Sequence, residues 1–580
     1  MHEDMINAED IHTPEQKIFG SSFAADIKFK YPWRAYQARV LQELEYHLKD
    51  DRLHVVAPPG SGKTVLGLEV MRRLGHPALI LAPTVAIKHQ WLKRFNELFL
   101  SAPATNLTST DISAPKLLTA LTYQELHTKM RQQAKDELQL IASLQAAKVQ
   151  TIVLDEAHHL RKAWWDSLIS LVAAIKRVHI VSLTATPPYD VDHKEWSRYI
   201  ELCGPIDAQI SIPELVAEKN LAPHQDLISV TTPIESEANE LRQYRDTIKQ
   251  LIFSFPDDNP EVIYAVSQHP WIVDPLQHVE EVLESPDYFS AMLVFLKHWH
   301  WQIPAACIEL LGGVDTKLPA FDLKWAETLW HHILLCDRDR ECFVVVEEIL
   351  KKIEKILRRL GAIERRNTNL SSPSVINKVL LESVGKLEAI TEITKIEWQT
   401  LGVQLRAVVL ADNIRAEVMP AFIDDIKPLE VLGVVPIFER LRREYIVDIP
   451  LGVLTGSLVI IPATAAVDLQ IAATLENEDA NELTFKPLAH DPNYLLVSNN
   501  GGLRKKIVTL VTALFREGHI KVLVGTAALL GEGWDAPSVN TLVLASEVGS
   551  FVLCTQMRGR AIRIDPRWME SAYATTRLFY

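Results

Sequence analysis

Cysteine is scarce in this chain: five of its 580 residues are cysteines. They are Cys203, Cys307, Cys336, Cys342 and Cys554, and no two of them have the CxxC spacing of a structural zinc or redox site. Five dispersed cysteines argue against a disulfide framework and are typical of a reduced, intracellular protein.

A leader sequence and a membrane-length apolar run are also missing. The first ten residues, MHEDMINAED, carry acid where a signal peptide has a basic stretch followed by an apolar one. The longest uncharged run, which contains residues 451–467, is interrupted by glycine, proline, serine and threonine. It falls short of the ~20 apolar residues that a membrane-spanning helix needs. We therefore expect a cytoplasmic protein without a membrane segment.

Positive charge is in deficit, since 60 lysines and arginines face 74 acidic residues and the formal net charge is −14. This balance excludes a uniformly basic surface, although a local groove can still hold a phosphate backbone. Hydrophobic residues make up 48% of the chain, which is enough for extensive cores. A chain of this length is expected to form about three or four domains.

Short β-rich apolar runs alternate with helical stretches from about residue 31 to 213, and the same rhythm returns from residue 405. This alternation predicts an α/β fold in which two parallel sheets are covered by helices on both faces. Between the two layers, amphipathic helices dominate and strand signals are few. We predict four segments: an N-terminal extension (1–30), a first α/β domain (31–235), a mainly helical insertion (236–402) and a second α/β domain (403–580).

The segment APPGSGKT, residues 57–64, follows the strand-like LHVVA and precedes the helix-like VLGLEVMRRL. This is the context of a phosphate-binding loop, in which glycines let backbone N–H groups approach phosphate oxygens at a helix N-terminus. Lys63 would reach the β and γ phosphates of ATP, and the Thr64 hydroxyl would ligate Mg²⁺. The alternative is an ordinary glycine turn before a helix. The predicted nucleotide-binding residues of this loop are Pro59, Gly60, Ser61, Gly62, Lys63 and Thr64.

The segment LDEAHH, residues 154–159, places two adjacent acids at the carboxyl end of another apolar strand. Ligands bind at this edge of α/β sheets. Asp155 is the candidate for holding Mg²⁺ through its water shell, and Glu156 for orienting and deprotonating the attacking water. An acidic pair at a helix N-terminus is the structural alternative. The phosphate loop upstream favours the catalytic interpretation.

At these motifs the sequence resembles the superfamily 2 helicases and translocases, which are built on two RecA-like domains. Three segments look more like the DNA-repair and restriction-enzyme branch than like the DEAD-box RNA unwinders: DEAH (155–158), TAT (184–186) and EGWDAP (532–537). DNA is therefore favoured over RNA as the partner. Further segments match the motifs of the superfamily in order: RAYQ (34–37), APTVAIKHQW (82–91), LTYQEL (121–126), LTATPP (183–188), GTAALLGEGWDAPSVN (525–540) and QMRGRAIR (556–563).

The resemblance assigns roles in the nucleotide cycle to residues of both domains. It implies that Gln37 reads the adenine edge and that Arg563 is the arginine finger. Arg558 is left as a surface or interdomain charge. The implied positions are Arg34 and Gln37 for the base, Gly533 and Asp535 for the nucleotide, Thr184, Ala185, Thr186 and Gln556 for coupling, and Arg560 with Arg563 for catalysis.

The resemblance also implies a single strand lying across both domains and held through its backbone. Such contacts position a strand without reading its sequence. A lone threonine at a strand end is, however, more commonly a helix cap or a strand former. The implied contacts are Thr84, Gln90, Thr122, Thr455 and Thr526.

The helical insertion contains a basic cluster on one amphipathic helix and its exit. Two interpretations stay open: a solvated helix face, or a clamp that closes over nucleic acid. The cluster comprises Lys351, Lys352, Lys355, Arg358, Arg359, Arg365 and Arg366.

The resulting hypothesis is an ATP-dependent DNA helicase or translocase that uses Mg²⁺ and acts in a prokaryotic defence, restriction or DNA-processing system. The alternatives are an RNA helicase and a nucleic-acid-gated ATPase switch or assembly subunit that unwinds nothing. Only 17 residues follow Arg563, so we expect a fragment of a longer protein. A protein partner would bind through the helical insertion or through the missing C-terminal region.

Overall fold

A computed structural model provides the structure of the chain. It describes residues 23, 27–102, 104–131, 134–160, 162–175, 177–189, 191, 193–312, 317–364, 367–444, 449–476, 478–499, 506–527, 534, 536–546, 551–568 and 575–580. The chain divides into two compact units. One unit contains residues 1–229, 390–427 and 433–580, and the other contains residues 230–389 and 428–432.

The first sheet of the larger unit has seven strands in the order β3-β4-β2-β5-β6-β1-β7, and all of its pairings are parallel. Most of its strands are apolar and buried along their whole length, as expected when helices cover both faces. We call this sheet and its helices the first lobe. The strands are β1 (Arg52–Val56), β2 (Ala78–Ala82), β3 (Thr108–Ser109), β4 (Leu118–Thr122), β5 (Thr151–Asp155), β6 (His179–Thr184) and β7 (Ala208–Gln209).

The helices of the first lobe alternate with these strands. They are α1 (Ala35–His47), α2 (Lys63–Leu74), α3 (Val85–Phe99), α4 (Tyr123–Arg131), α5 (Ala134–Ala146), α6 (Lys162–Ala174), α7 (His193–Cys203) and α8 (Ile212–Ala217). The chain then forms β8 (His224–Leu227), which joins the second sheet rather than the first.

The smaller unit is mainly helical and has its own core, in which Phe289, Phe295 and Trp330 are fully buried. Its strands β9 (Ile363–Glu364) and β10 (Asn367–Thr368) form a short antiparallel pair. Its helices are α9 (Glu235–Asp258), α10 (Pro260–Ser267), α11 (Pro270–Val273), α12 (Val279–Glu284), α13 (Pro286–His298), α14 (Ala305–Leu310), α15 (Leu323–His331), α16 (Glu341–Val344), α17 (Glu347–Arg359) and α18 (Ser374–Leu381). Helix α19 (Gly385–Leu401) follows.

The second sheet of the larger unit has nine strands in the order β14-β15-β13-β12-β16-β11-β17-β18-β8. We call this sheet and its helices the second lobe. The helices are α20 (Val434–Arg443), α21 (Ala466–Leu475), α22 (Ile507–Glu517) and α23 (Phe551–Ala561). The strands that complete it are β11 (Ala407–Ala411), β12 (Leu451–Leu454), β13 (Val459–Pro462), β14 (Leu483–Leu488), β15 (Asp491–Asn499), β16 (Val522–Thr526), β17 (Thr541–Leu544) and β18 (Thr576–Phe579).

The predicted α/β fold class, with two parallel-sheet domains and a helical insertion, is confirmed. The second sheet differs from the prediction in one respect, because β13, β14 and β15 extend it with antiparallel pairs. The reason is local: a tight turn at Thr455 joins β12 to β13, and a turn this short can join only antiparallel strands.

Among the described residues, no helix has both the length and the apolar character to cross a membrane. The predicted domain boundaries stay a proposal.

A buried ion pair connects α19 to the parallel part of the second sheet. The Glu397 carboxylate accepts hydrogen bonds from the Arg577 guanidinium at 2.9 and 3.0 Å and from the Thr541 hydroxyl at 2.7 Å. Glu397 is 2% exposed. Because the two partners belong to β18 and β17, this one carboxylate ties the helix to two neighbouring strands.

We expect Glu397→Ala to destabilise the protein by about 3 kcal/mol, because it leaves the Arg577 charge largely buried without its partner. Differential scanning calorimetry should show a lower unfolding temperature. Glu392→Ala is the control on the same helix, since Glu392 is exposed and pairs with Lys395 at 3.2 Å. That substitution should cost less than about 1 kcal/mol. Equal shifts for both variants would contradict the importance of the buried pair.

Candidate active site

The predicted phosphate loop lies between β1 and α2, where the chain turns sharply. Gly60 and Gly62 have φ angles of 88° and 86°, in the left-handed region that favours glycine. A Cβ atom on Gly62 would lie 2.6 Å from Nε2 of Gln37. The loop therefore has the backbone shape of a phosphate cradle at the N-terminus of α2.

The start of α1 braces this loop through the carbonyl oxygen of Ser61. That oxygen accepts hydrogen bonds from the Tyr36 hydroxyl at 3.0 Å and from Gln37 Nε2 at 3.2 Å. Gln37 Oε1 accepts from the Arg34 backbone N–H, and the Arg34 guanidinium donates to the Asn220 side chain. The sequence prediction brought Arg34 and Gln37 to the loop but missed Tyr36, which is 1% exposed.

The two predicted acids lie at the carboxyl end of β5, facing the loop. Lys63 Nζ donates to Glu156 Oε1 at 2.7 Å, which joins two residues far apart in sequence. Glu156 Oε2 accepts from the Ala185 backbone N–H at 3.2 Å. Glu156 has a φ of 50°, an uncommon and strained angle for a residue with a side chain. Its carboxylate is therefore fixed from two sides.

The electrostatics of the two acids differ. Burial raises the pKa of the Asp155 carboxyl, and the negative charge of Glu156 raises it further. Burial acts in the same direction on Glu156, but the charge and hydrogen bond of Lys63 oppose it and hold the pKa of Glu156 below its usual value. Glu156 is therefore ionised at neutral pH, as a general base must be.

The residues present fit a magnesium nucleotide. A threonine hydroxyl at the start of α2 and the Asp155 carboxylate supply the hard oxygen ligands that Mg²⁺ prefers. Asp155 is 5% exposed, and its buried charge would be balanced by a cation. Thr64 is partly exposed at the helix start.

A hydrogen-bonded chain links these acids to the second lobe. Gln556 Nε2, on α23, donates to His158 Nε2 at 2.9 Å. His158 Nδ1 lies 2.8 Å from the Thr184 hydroxyl, which donates to the Thr186 carbonyl at 3.1 Å. This direction requires the neutral Nδ1–H tautomer of His158. The four residues are thus adjacent in space, and the sequence prediction had not included His158.

The arginines of the QMRGRAIR segment have separate surroundings. Arg558 donates to Asp226 Oδ2 at 2.6 Å and lies 2.9 Å from His224 Nε2, so it is bound to β8. Arg560 donates to the Trp534 carbonyl at 2.8 Å. The backbone at Arg563 forms an isolated β-bridge with Leu221.

Helix α23 approaches the phosphate loop closely at Gly559. A Cβ atom on Gly559 would lie 2.8 Å from Cγ of Pro59. Beside this contact, a cavity of about 550 Å³ is lined by both lobes, including Ala185 and Thr555. The two lobes therefore meet at the loop while leaving open space next to it.

The predicted strand contacts are found in three different settings. The Thr84 hydroxyl caps α3 by accepting from the Ile87 N–H at 3.4 Å, and the Thr122 hydroxyl accepts from the Glu125 N–H at 3.1 Å. The Thr455 hydroxyl is buried in its turn. Gln90 is exposed on α3, and Thr526 is partly exposed at the end of β16. Gly533 and Asp535 lie outside the described residues.

We expect Gly559→Ala to push α23 away from Pro59 and to lower ATP turnover by about tenfold or more, because small misplacements of catalytic groups are costly. Binding of a fluorescent ADP analogue should be retained. Gly456→Ala is the matched control, because a Cβ atom there would have no neighbour within 4 Å. The same loss of turnover in both variants would contradict a specific role for the contact with Pro59.

Residues 30–189 match the family model of the type III restriction enzyme res subunit. The chain is 29% identical over 204 residues to "DNA 3'-5' translocase XPB2" of Sulfurisphaera tokodaii. This alignment covers 35% of the chain and 42% of the relative, so the chain spans less than half of that relative's length.

Two solved structures are similar over most of the chain. One is the Hef helicase domain of Pyrococcus furiosus, at 15% identity and a TM-score of 0.43, covering 94% of this chain and 95% of that one. The other is the ATP-dependent Type ISP restriction-modification enzyme LlaBIII bound to DNA, at 12% identity and a TM-score of 0.43, covering 94% of this chain and 27% of that one. The family match covers residues of the first lobe, and the ordered motifs of both lobes resemble those of the superfamily 2 helicases and translocases.

Proposed function

We propose that the chain is an ATP-dependent DNA helicase or translocase that hydrolyses Mg·ATP between its two lobes. The observation that carries this proposal is the junction at the phosphate loop. There the Lys63–Glu156 ion pair of the first lobe lies next to the hydrogen bond between His158 and Gln556 of the second. A hydrolytic centre that touches both lobes can convert the state of its nucleotide into relative movement of the lobes.

Each residue of the junction has a defined task in this proposal. The N–H groups of the loop and the Lys63 ammonium bind the phosphates, while Thr64 and Asp155 hold Mg²⁺. The bound cation supplies positive charge that stabilises the transferring phosphoryl group. When the phosphates draw Lys63 away, Glu156 is free to orient and deprotonate the attacking water.

The second lobe completes the site when it closes. Arg560 and Arg563 then add positive charge beside the γ-phosphate, as arginine fingers do. A change in the state of the nucleotide would reach the strand through four residues, because they connect Glu156 to α23 through His158. They are Thr184, Ala185, Thr186 and Gln556. Movement of α23 against Pro59 would open and close this path once in each turnover.

We propose DNA as the strand. The relative from Sulfurisphaera tokodaii is named as a DNA translocase, and the family matched by residues 30–189 is a restriction-enzyme family. A prokaryotic defence or restriction role in the cytoplasm is consistent with that family. The strand would pass Thr84, Gln90, Thr122, Thr455 and Thr526. The hydroxyls of Thr84, Thr122 and Thr455 are engaged in caps and a turn, so these three residues would contact the strand through their backbone.

Glu156→Gln tests the chemistry. We expect it to lower strand-stimulated ATP hydrolysis by about 10²–10⁴-fold, because the amide cannot accept the proton of the water. Nucleotide binding should persist. Strand displacement and hydrolysis are measured with the unsubstituted chain and the variant on single-stranded DNA, on forked DNA and on RNA of equal length.

The pattern of these results separates the alternatives. Stronger stimulation by RNA would contradict the choice of DNA. Stimulated hydrolysis without displacement on any fork would reject unwinding in favour of translocation or switching. The absence of hydrolysis with every nucleic acid would refute the motor itself.

The basic cluster of the helical unit is divided by its pairing. Lys351 pairs with Glu348 at 2.7 Å and Arg358 pairs with Glu354 at 2.8 Å. Arg365 and Arg366 lie outside the described residues. On the exposed face of α17, no acidic side chain of the described part pairs with Lys352, Lys355 or Arg359. We call these three residues the α17 stripe and propose that it binds the phosphate backbone.

Reversing the three charges of the α17 stripe to glutamate should weaken DNA binding and flatten its salt dependence. The slope of log K against log salt should fall by about 2, since each single-strand phosphate contact contributes about 0.7. The matched control reverses Arg242, Arg245 and Lys249, which are exposed on α9 with the same spacing. An unchanged slope, or equal changes in both triple variants, would favour a solvated helix face.

A further inference from the structure

Trp91 lies between the two elements that carry the candidate magnesium ligands. It is on α3 and is 0% exposed. Its indole N–H donates to Asp155 Oδ2 at 2.6 Å, so it holds the carboxylate at the end of β5. The far edge of its ring rests on α2, the helix that begins at Lys63 and Thr64, because a Cβ atom on Gly67 would lie 2.6 Å from it.

This position makes Asp155 dependent on α3. A buried carboxylate needs a donor, and a hydrogen bond to a charged group is directional and strong. A phenylalanine could fill the same space but could not donate. A tilt of α3 would therefore change the orientation of the Asp155 carboxylate and, at the same time, the packing of the Trp91 ring on α2.

Helix α3 also carries predicted strand contacts on its other face. Thr84 caps its start, and Gln90, adjacent to Trp91, is exposed. Lys88 lies one turn before Trp91 and is buried, and its ammonium donates to Glu125 Oε1 at 2.7 Å. Glu125 Oε2 in turn accepts from the Thr122 backbone N–H at 2.8 Å. Both first-lobe segments predicted to touch the strand are thus attached to α3.

We infer that Trp91 is a positioning residue through which a strand bound at α3 changes the affinity of the Asp155 site for magnesium. The inference rests on the proposed function for the nature of the strand and the nucleotide. Coupling between two sites is reciprocal, so magnesium and nucleotide must change strand affinity by the same factor.

The test is a Mg²⁺ titration of the binding of a fluorescent ADP analogue, with and without saturating oligothymidylate, which needs no hydrolysis. In the unsubstituted chain, oligothymidylate should lower the magnesium midpoint. In Trp91→Phe, the midpoint without the strand should rise by about tenfold, the usual effect of losing a hydrogen bond to a metal ligand. The shift caused by oligothymidylate should be lost.

Trp330→Phe is the matched control. Trp330 is also fully buried, and its indole nitrogen has no hydrogen-bond partner among the described residues. Trp330→Phe should leave the magnesium midpoint unchanged both with and without oligothymidylate, although it removes the same ring volume as Trp91→Phe. If Trp91→Phe does not fold, Gly67→Ala replaces it, since alanine favours a helix but pushes the indole away from α2. Gly67→Ala should likewise raise the midpoint and reduce the strand effect.

Two results would overturn the inference: no strand effect on the midpoint in the unsubstituted chain, or the same midpoints and strand effect in Trp91→Phe as in Trp330→Phe. Failure of the proposed function has a different signature, namely no ATP hydrolysis with DNA or RNA. Because the titration uses ADP, it decides the role of Trp91 in either case.

Discussion

The ion pair between Lys63 and Glu156 is the interaction on which the candidate site depends. The two side chains are only 11% and 19% exposed, so each charge requires a partner within the protein. Here the Lys63 ammonium and the Glu156 carboxylate are each other's partner. In the proposed cycle a phosphate competes for the same ammonium, and the release of Glu156 then coincides with binding of the nucleotide. One cation serving two anions in turn would keep the base inactive until its substrate arrives.

In the proposed cycle, the second oxygen of the released carboxylate would stay bound to the Ala185 N–H, as it is in this structure. This bond connects the acid to the end of β6, where Thr184 is hydrogen-bonded to His158, and His158 continues the path to Gln556 on α23. The bonds of the path are 2.8 to 3.2 Å long, so movement of one group would alter the hydrogen bond of the next. In the proposed cycle the second lobe would sense the phosphate through these hydrogen bonds, and Gly559 allows the backbone of α23 to approach Pro59 closely enough for this.

Features encoded within a few neighbouring residues could be predicted from the sequence. The glycine loop, the acid pair and the apolar strands are of this kind, since turn geometry and burial follow from local residue types. Bonds between distant segments could not, and they include Tyr36 with Ser61 and Trp91 with Asp155. Strand β8 was missed for a related reason: it is short, polar and half exposed, and it becomes a strand only by pairing with β18. The hydroxyl of Thr84 follows its local preference as a helix cap.

The three arginines of residues 556–563 show why composition alone is a poor guide to partners. Close like charges in an acidic chain suggest one anionic ligand, yet Arg558 is bound to Asp226 and Arg560 to the Trp534 carbonyl. Helical spacing separates their side chains around α23, so neighbours in sequence have different environments. Arg558 ties α23 to β8, the edge strand of the second sheet, so this bond lies within the second lobe. In the proposed function, Arg560 and Arg563 alone would act at the phosphate, because Arg558 is already engaged in holding α23 on its own sheet.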